Sequence, residues 1–384
     1  MFARAITLVV FVVAAALVAR SPAAADTASF TALGQLPGSI GRTEANGVSG
    51  DGSIVVGFGW ISSSDTKAFR WSAQTGYEVL ADIAAGQSHA NDASFDGSVV
   101  VGQSNWQAVR WTASGVQQLP LYEGSATNSD GSVVVDYQRW VAPGTTNDFG
   151  SLGGLSTRAT NVSADGQVAV GYSETSSGNR YVHAFRWTPA AGIKDLGVTN
   201  GTESIAWGVS GDGATVIGEA RDSTGYWRAF KWTASTGMRD MGTLGGPMSR
   251  ASEASRDGSV IVGHSLTSGI STSDHAFVWT AKTGMRDLKN ELQARGVGGL
   301  DNWLLYAATG VSDDGSVIVG VARNLITKDW QPFRAVLPVA PAVTPSPSPS
   351  ATSSRTPSPT PRSTVSPTPT PTHTATPTST GRGR

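Results

Sequence analysis

The sequence predicts an all-β fold: a seven-bladed β-propeller of four-stranded antiparallel blades, closed by the N-terminal strand completing the last blade. Three observations predict it. First, Asp-Gly recurs at Asp51-Gly52, Asp96-Gly97, Asp130-Gly131, Asp165-Gly166, Asp212-Gly213, Asp257-Gly258 and Asp314-Gly315. The spacings are 45, 34, 35, 47, 45 and 57 residues, a period that suits propeller blades or helical solenoids. Second, each pair leads into a short apolar run and then an aromatic string, such as Ile54-Val55-Val56-Gly57 and Phe69-Arg70-Trp71. Such β-branched and aromatic runs between Asp-Gly turns are hairpin signals, which excludes the solenoid. Third, the strands at the two ends of the array are unbalanced in a way that only ring closure repairs.

Within a unit, strand a comes first. A serine precedes the Asp-Gly pair in all seven units: Ser49, Ser94, Ser129, Ser163, Ser210, Ser255 and Ser312. A small side chain stands further upstream, at Ala45, Ala90, Ser125, Ala159, Ala206, Ala251 and Ala308, as the crowded innermost strand of a radial array requires. Asp-Gly then makes either a two-residue primed turn or a type I turn with a left-handed glycine. Strand b is the apolar run. Its final glycine recurs in six units, and the third unit carries Asp136 instead.

Strand c holds Phe69-Arg70-Trp71, Val109-Arg110-Trp111, Arg139-Trp140, Phe185-Arg186-Trp187, Phe230-Lys231-Trp232 and Phe277-Val278-Trp279. Phe and Trp two apart share one strand face, so both read as core between sheets. The seventh copy, Phe333-Arg334-Ala335, loses the Trp. Strand d follows, as in Lys194-Asp195-Leu196-Gly197. After the seventh Asp-Gly the chain supplies strands b and c and then reaches Leu337-Pro338 with no strand d. Leu33-Gly34-Gln35-Leu36-Pro37-Gly38 matches Met241-Gly242-Thr243-Leu244-Gly245-Gly246, so the N-terminal segment supplies the missing strand and removes the open sheet edges.

The ends differ from the array. Arg4, the apolar stretch from Ala5 to Ala19 and the small residues Ala23-Ala24-Ala25 read as a signal peptide over residues 1–25, cleaved before Asp26. After cleavage no membrane-spanning segment is expected. Residues 26–338 read as the propeller domain and residues 339–384 as a disordered Pro/Ser/Thr-rich tail, a stalk or spacer that favours extended polyproline II. The chain contains no cysteine, so packing alone must hold it together. A formal charge of −1 gives no reason to expect nucleic acid as a partner.

The strings His183-Ala184-Phe185-Arg186-Trp187 and His275-Ala276-Phe277-Val278-Trp279 resemble the HAF family of probable bacterial extracellular repeats. The resemblance covers residues 29 to 338 and implies location, secreted or at the cell surface, more than activity. It supplies no catalytic residues. The third unit and the Trp-less last unit depart from the pattern.

No catalytic, metal or cofactor site is expected. One Asp per turn cannot supply the six to eight oxygens that calcium needs. The histidines have no ligand spacing, and neither a nucleophile elbow nor a phosphate loop is present. Glu44, Asp92, Glu123, Glu174, Glu203 and Glu253 fall near the starts of strand a, as acids around a rim would in a glycosidase and equally in any solvated loop set. The stronger signal is asymmetry between faces. From the strand-b glycine position to the strand-c Trp the interval is 14, 9, 4, 16, 14 and 16 residues in units one to six, whereas the a–b turns are constant. Those b–c segments hold aromatics that the repeat does not require: Trp60, Trp106, Tyr181, Tyr226, Trp227 and Trp330. They are the candidate ligand-binding residues, because exposed aromatics stack on sugars or anchor protein partners.

The sequence thus predicts a secreted or surface-displayed, non-catalytic binding module with a monomeric head that takes a glycan or a surface protein. A structural envelope or matrix component and a polysaccharide-active enzyme are the alternatives. Binding requires exposed aromatics on the variable face, catalysis requires paired carboxylates at the channel mouth, and a structural role requires neither.

Overall fold

The computed structural model describes residues 27–176, 181–268 and 273–338; the proposed leader and tail lie outside them. Its strands form seven four-stranded antiparallel sheets. In blade 1 they are strand a (Thr43–Val48), b (Ile54–Trp60), c (Thr66–Ser72) and d (Gly76–Val79). Blade 7 takes a, b and c from Trp303–Val311, Val317–Asn324 and Trp330–Val336, and its outer strand d from Ser29–Ala32. Ser29 pairs with Val336 and Ala32 with Phe333. The ring is closed between the two ends of the array.

The Asp-Gly turns are built alike. In blade 1 the Ser49 hydroxyl donates to Asp51 Oδ1 at 2.7 Å and accepts from the Ile54 amide at 2.9 Å. The Gly52 amide donates to the Ser49 carbonyl, and Gly52 alone of the turn residues has positive φ, +74°. This is the type I turn with a left-handed glycine. A Cβ on Gly52 would also lie 2.6 Å from Val317 of the preceding blade, and Gly258 stands likewise against Thr215. The glycine is needed for conformation and for contact between blades. The third unit corrects the sequence alignment by one residue: Asn128, not Ser129, takes the serine's place, accepting from the Val133 amide at 2.8 Å.

The residue between Ser and Asp forms a closed girdle around the axis. Backbone hydrogen bonds run Asp51 to Phe95, Phe95 to Ser129, Ser129 to Ala164, Ala164 to Gly211, Asp212 to Arg256, Arg256 to Asp313, and Asp313 back to Gly50, all at 2.8–3.1 Å. Outside it, strand-c cations tie four of the blades to the next turn. Arg139 donates to the Gly166 carbonyl, Arg186 to Gly213, Lys231 to Gly258 and Arg334, across the closure, to Gly52.

The core lies between sheets. Phe69, Phe185, Phe230, Phe277 and Phe333 are fully buried, each opposite a strand-b glycine in register. A Cβ on that glycine would meet the strand-a carbonyl at 2.0 Å in blade 1, and strand a bulges beside it between Ala45 and Gly47. The small strand-a residue and the glycine are therefore one feature. Trp232 packs with Val168, Val170 and Ala184 of the preceding blade, confirming its core role. In the blade without Trp, a helix the sequence reading missed, Leu288–Ala294, brings Leu288 and Leu292 into the cluster of Phe333 and Ala335. It occupies the longest inter-unit spacing, is N-capped by Asp287, and shows its buried side as a bare i, i+4 leucine pair.

Candidate binding face

In an antiparallel a-b-c-d blade the a–b and c–d turns share one face, here the turn face, and the b–c and d–a connections share the other, the loop face. All six sequence-predicted aromatics belong to the loop face. Trp106 and Tyr226 are exposed there. Trp106 stands at a tight turn with Asn105, both at positive φ. Trp60, Tyr181, Trp227 and Trp330 are only half-buried. Trp60 and Trp330 are brought together across the closure, since the Trp60 amide donates to the Arg42 carbonyl and the Trp330 amide to that of Gly41. A cavity of about 280 Å³ opens beside Trp60, lined by Ile40, Arg42, Ser62 and Ser63. Tyr226 and Trp227 share one hairpin, while Trp106 and Tyr181 stand apart on their own blades.

The exposed apolar surface is one-sided. Among the described residues ten large apolar side chains are exposed, and eight lie toward the loop face: Ile40, Trp106, Tyr122, Tyr137, Tyr226, Leu325 and Ile326 in its connections and Leu155 at the start of strand a of blade 4 (Gly153–Val162). Leu155, 97% exposed, touches almost nothing. The sequence reading missed six of the eight: it counted only aromatics in b–c segments, which left out Ile40, Tyr122 and the aliphatics, and it passed over Tyr137 in the short b–c segment of blade 3. Unsatisfied polar atoms are one-sided too. Trp60 Nε1, Asp65 Oδ1, Thr66 Oγ1, His89 Nε2 and Arg228 Nε, five of the six buried side-chain atoms lacking a partner among the described residues, lie toward the loop face.

Three places toward the loop face, one within blade 5 and two at blade junctions, repeat one chemical motif. Arg221 lies 4.4 Å over the Trp227 ring and pairs with Glu203 at 2.6 Å. Arg250 lies 3.7 Å over Trp207, within 3.9 Å of Glu219, and the Trp207 indole donates to the same carboxylate at 3.1 Å. Arg158 lies 5.6 Å over Tyr137, paired with Glu123 and, at 3.0 Å, with Asp136. Asp136 is the residue that replaces the strand-b glycine of blade 3, so this departure from the repeat places a buried acid beneath a loop-face cation. Burial pushes Glu219 and Asp136 above the ordinary carboxylate range, partly offset for Glu219 by Arg250 and for Asp136 by the Glu123 amide and Arg158.

The central channel is lined by strand a. A polar cavity of about 210 Å³ is bounded by residues that include Asn46, Asn91, Asp92, Asn161, Trp207 and Glu253. Asp92 accepts from the Ala93 and Thr127 amides, and Glu253 from the Ala254 amide and, at 2.8 Å, from Asn161. Both carboxyls are half-buried in the channel, and desolvation there pushes Asp92 up to about 6 and Glu253 up to about 8. Among the described residues no three His, Asp or Glu side chains converge as metal ligands, and no helix is long and apolar enough to cross a membrane.

No family profile matches the chain, and no curated protein matches it. Among solved structures it is similar to TolB from Acinetobacter baumannii, at 11% identity and a TM-score of 0.42 over 75% of this chain and 64% of that one. It is also similar to Kuenenia stuttgartiensis hydrazine synthase, at 12% identity and 0.45 over 80% and 97%. Oligogalacturonate lyase from Vibrio parahaemolyticus gives 10% identity and 0.48 over 80% and 93%. The chain thus spans less than two thirds of the first of these.

Proposed function

We propose that this propeller is a binding module displayed outside the cell, whose loop face takes a glycan or protein ligand. The observation that carries the reading is the confinement of eight of ten exposed large apolar side chains to that face. Exposed apolar side chains gathered on one side of a rigid scaffold mark an interaction site more than a solubility accident. The leader-like N-terminus and the resemblance to HAF repeats support an extracellular or envelope location. The test is capture by the full chain on glycan and surface-protein arrays, repeated with Trp106→Ala and Tyr226→Ala. Loss of capture in folded variants supports the reading; undiminished capture in both removes it.

A second reading, polysaccharide cleavage, is favoured by the two channel carboxyls with raised pKa, Asp92 and Glu253. Proton transfer at neutral pH uses groups tuned in this way. Release of new reducing ends from a captured polysaccharide, abolished by Glu253→Gln, would support it. A captured polysaccharide recovered at its original length would reject it.

A further inference from the structure

We propose that the ligand of the loop face is a neutral, hydroxyl-rich polysaccharide, held at three like subsites in which a guanidinium lies on an aromatic ring and is closed by a carboxylate. The proposal rests on the loop-face reading and narrows it to one ligand class. Each of the three, Arg221–Trp227–Glu203 and Arg158–Tyr137–Glu123 at loop-face connections and Arg250–Trp207–Glu219 at the channel that Trp207 lines, combines the same three chemical groups. On the side opposite the guanidinium, the aromatic ring takes the C–H face of a sugar. The adjoining carboxylate accepts from hydroxyls, and the guanidinium donates to them in a fixed plane. Stacking already fixes each guanidinium, so little side-chain freedom is lost on binding.

Charge excludes a polyanion. None of the three guanidiniums lacks a carboxylate, so an acidic polymer would have to displace an intramolecular partner and face its repulsion. The layout argues against a single protein partner. A stable protein interface needs roughly 800 Å² of continuous, well-desolvated surface on each side. Here the aromatics stand singly or in pairs around a ring, separated by ion pairs and by the mouth of a polar channel. Three copies of one motif match a ligand that itself repeats, and weak subsites combine through high effective concentration.

The test is native affinity electrophoresis of the full chain. One set of gels carries neutral polysaccharides: mixed-linkage β-glucan, arabinoxylan, galactomannan and starch. The other carries polygalacturonate and alginate. The expected result is retardation by at least one neutral polymer, changing less than about twofold when salt rises about tenfold, because no net charge is neutralised on binding. Trp227→Ala and Arg221→Lys should each weaken retardation about tenfold, the lysine because it keeps the charge but not the flat donor fork. Melting curves establish that both variants are folded. Retardation by the uronates alone, steeply reduced by salt, overturns the proposal and leaves the loop face as the binding surface. Capture of a surface protein with no retardation on any gel likewise overturns the ligand class alone. Retardation by a neutral polymer that neither variant weakens overturns the subsites.

Discussion

The two faces of this propeller are made by the same seven sheets, yet they obey different rules. On the turn face each unit repeats one hydrogen-bond set, a closed backbone girdle links all seven blades, and strand-c cations in four blades reach the neighbouring turn. On the loop face the connections differ in length and content, polar atoms are left without partners, and most exposed apolar side chains collect. Stability is assigned to one side of the ring and variability to the other. A residue's value to the fold can then be judged from the face it occupies, and so can its freedom to change.

Four perturbations would break or sharpen that division. The largest effect should come from deleting residues 27–39, which removes strand d of blade 7. The deletion exposes the edge at Phe333–Val336 and opens the ring. We expect aggregation or loss of a cooperative melt. A cooperative transition at the parent temperature would show that closure contributes little.

Next comes Gly258→Val on the turn face. The valine would hold positive φ and drive its Cβ to 2.6 Å from Thr215 Oγ1. The cost should exceed about 3 kcal/mol, similar to Trp232→Ala in the core at about 3–5 kcal/mol. Urea titrations of both variants would rank them. A loss below about 1 kcal/mol for Gly258→Val would place no special demand on the turn face.

A pH series on Glu253→Gln should give a smaller effect with a definite sign. Glu253 is raised from 4.5 to about 8, so its contribution to stability is full below about pH 4.5 and is lost as pH rises toward 8. The turn aspartates behave oppositely. Burial raises Asp51, but hydrogen bonds from Ser49 and Ser53 outweigh it and hold the carboxyl below 3.8. Its contribution is present above that value and is lost as pH falls through the lowered one. Glu253→Gln should therefore melt higher than the parent at about pH 9, by on the order of 1–3 kcal/mol. The acid limb set by the turns should be unchanged. An unchanged alkaline limb would mean that Glu253 meets more water than the channel geometry indicates.

The smallest effect on stability should follow Trp106→Ala and Tyr226→Ala, each within about 0.5 kcal/mol by thermal melts. These residues are 57% and 48% exposed, so truncation empties no core. A loss comparable to that of Trp232→Ala would erase the distinction between the faces.

Much of the architecture was legible because it is written seven times. The Ser-x-Asp-Gly turn, the strand-b glycine and the Phe-x-Trp pair each imply one local geometry, and strand counting implied the closure. What was not legible depends on contacts between blades. Nothing local to Gly52 says that its Cα abuts Val317, and nothing local to Asp136 says that Arg158 sits above it. The helix Leu288–Ala294 hid in a segment with only one leucine pair to betray it. The six candidate aromatics were placed on the correct face. Their degree of burial was not readable, because Trp227 is covered by Arg221 and Trp330 meets Tyr306 edge-on at 5.1 Å.

Strand exchange between the ends also sets a clock. Ser29 and Val336 are neighbours in space but about 300 residues apart along the chain. Closing a loop of that length costs about 5 kcal/mol of chain entropy, against about 2.4 kcal/mol for a hairpin-sized loop of some 15 residues. Each of the other six blades can be completed from one contiguous stretch as synthesis proceeds. The seventh cannot: the first strand made must wait, unpaired, for the last one, Trp330–Val336. A nascent chain therefore passes through a long interval as an open crescent of finished blades, and only its final residues turn the crescent into a ring.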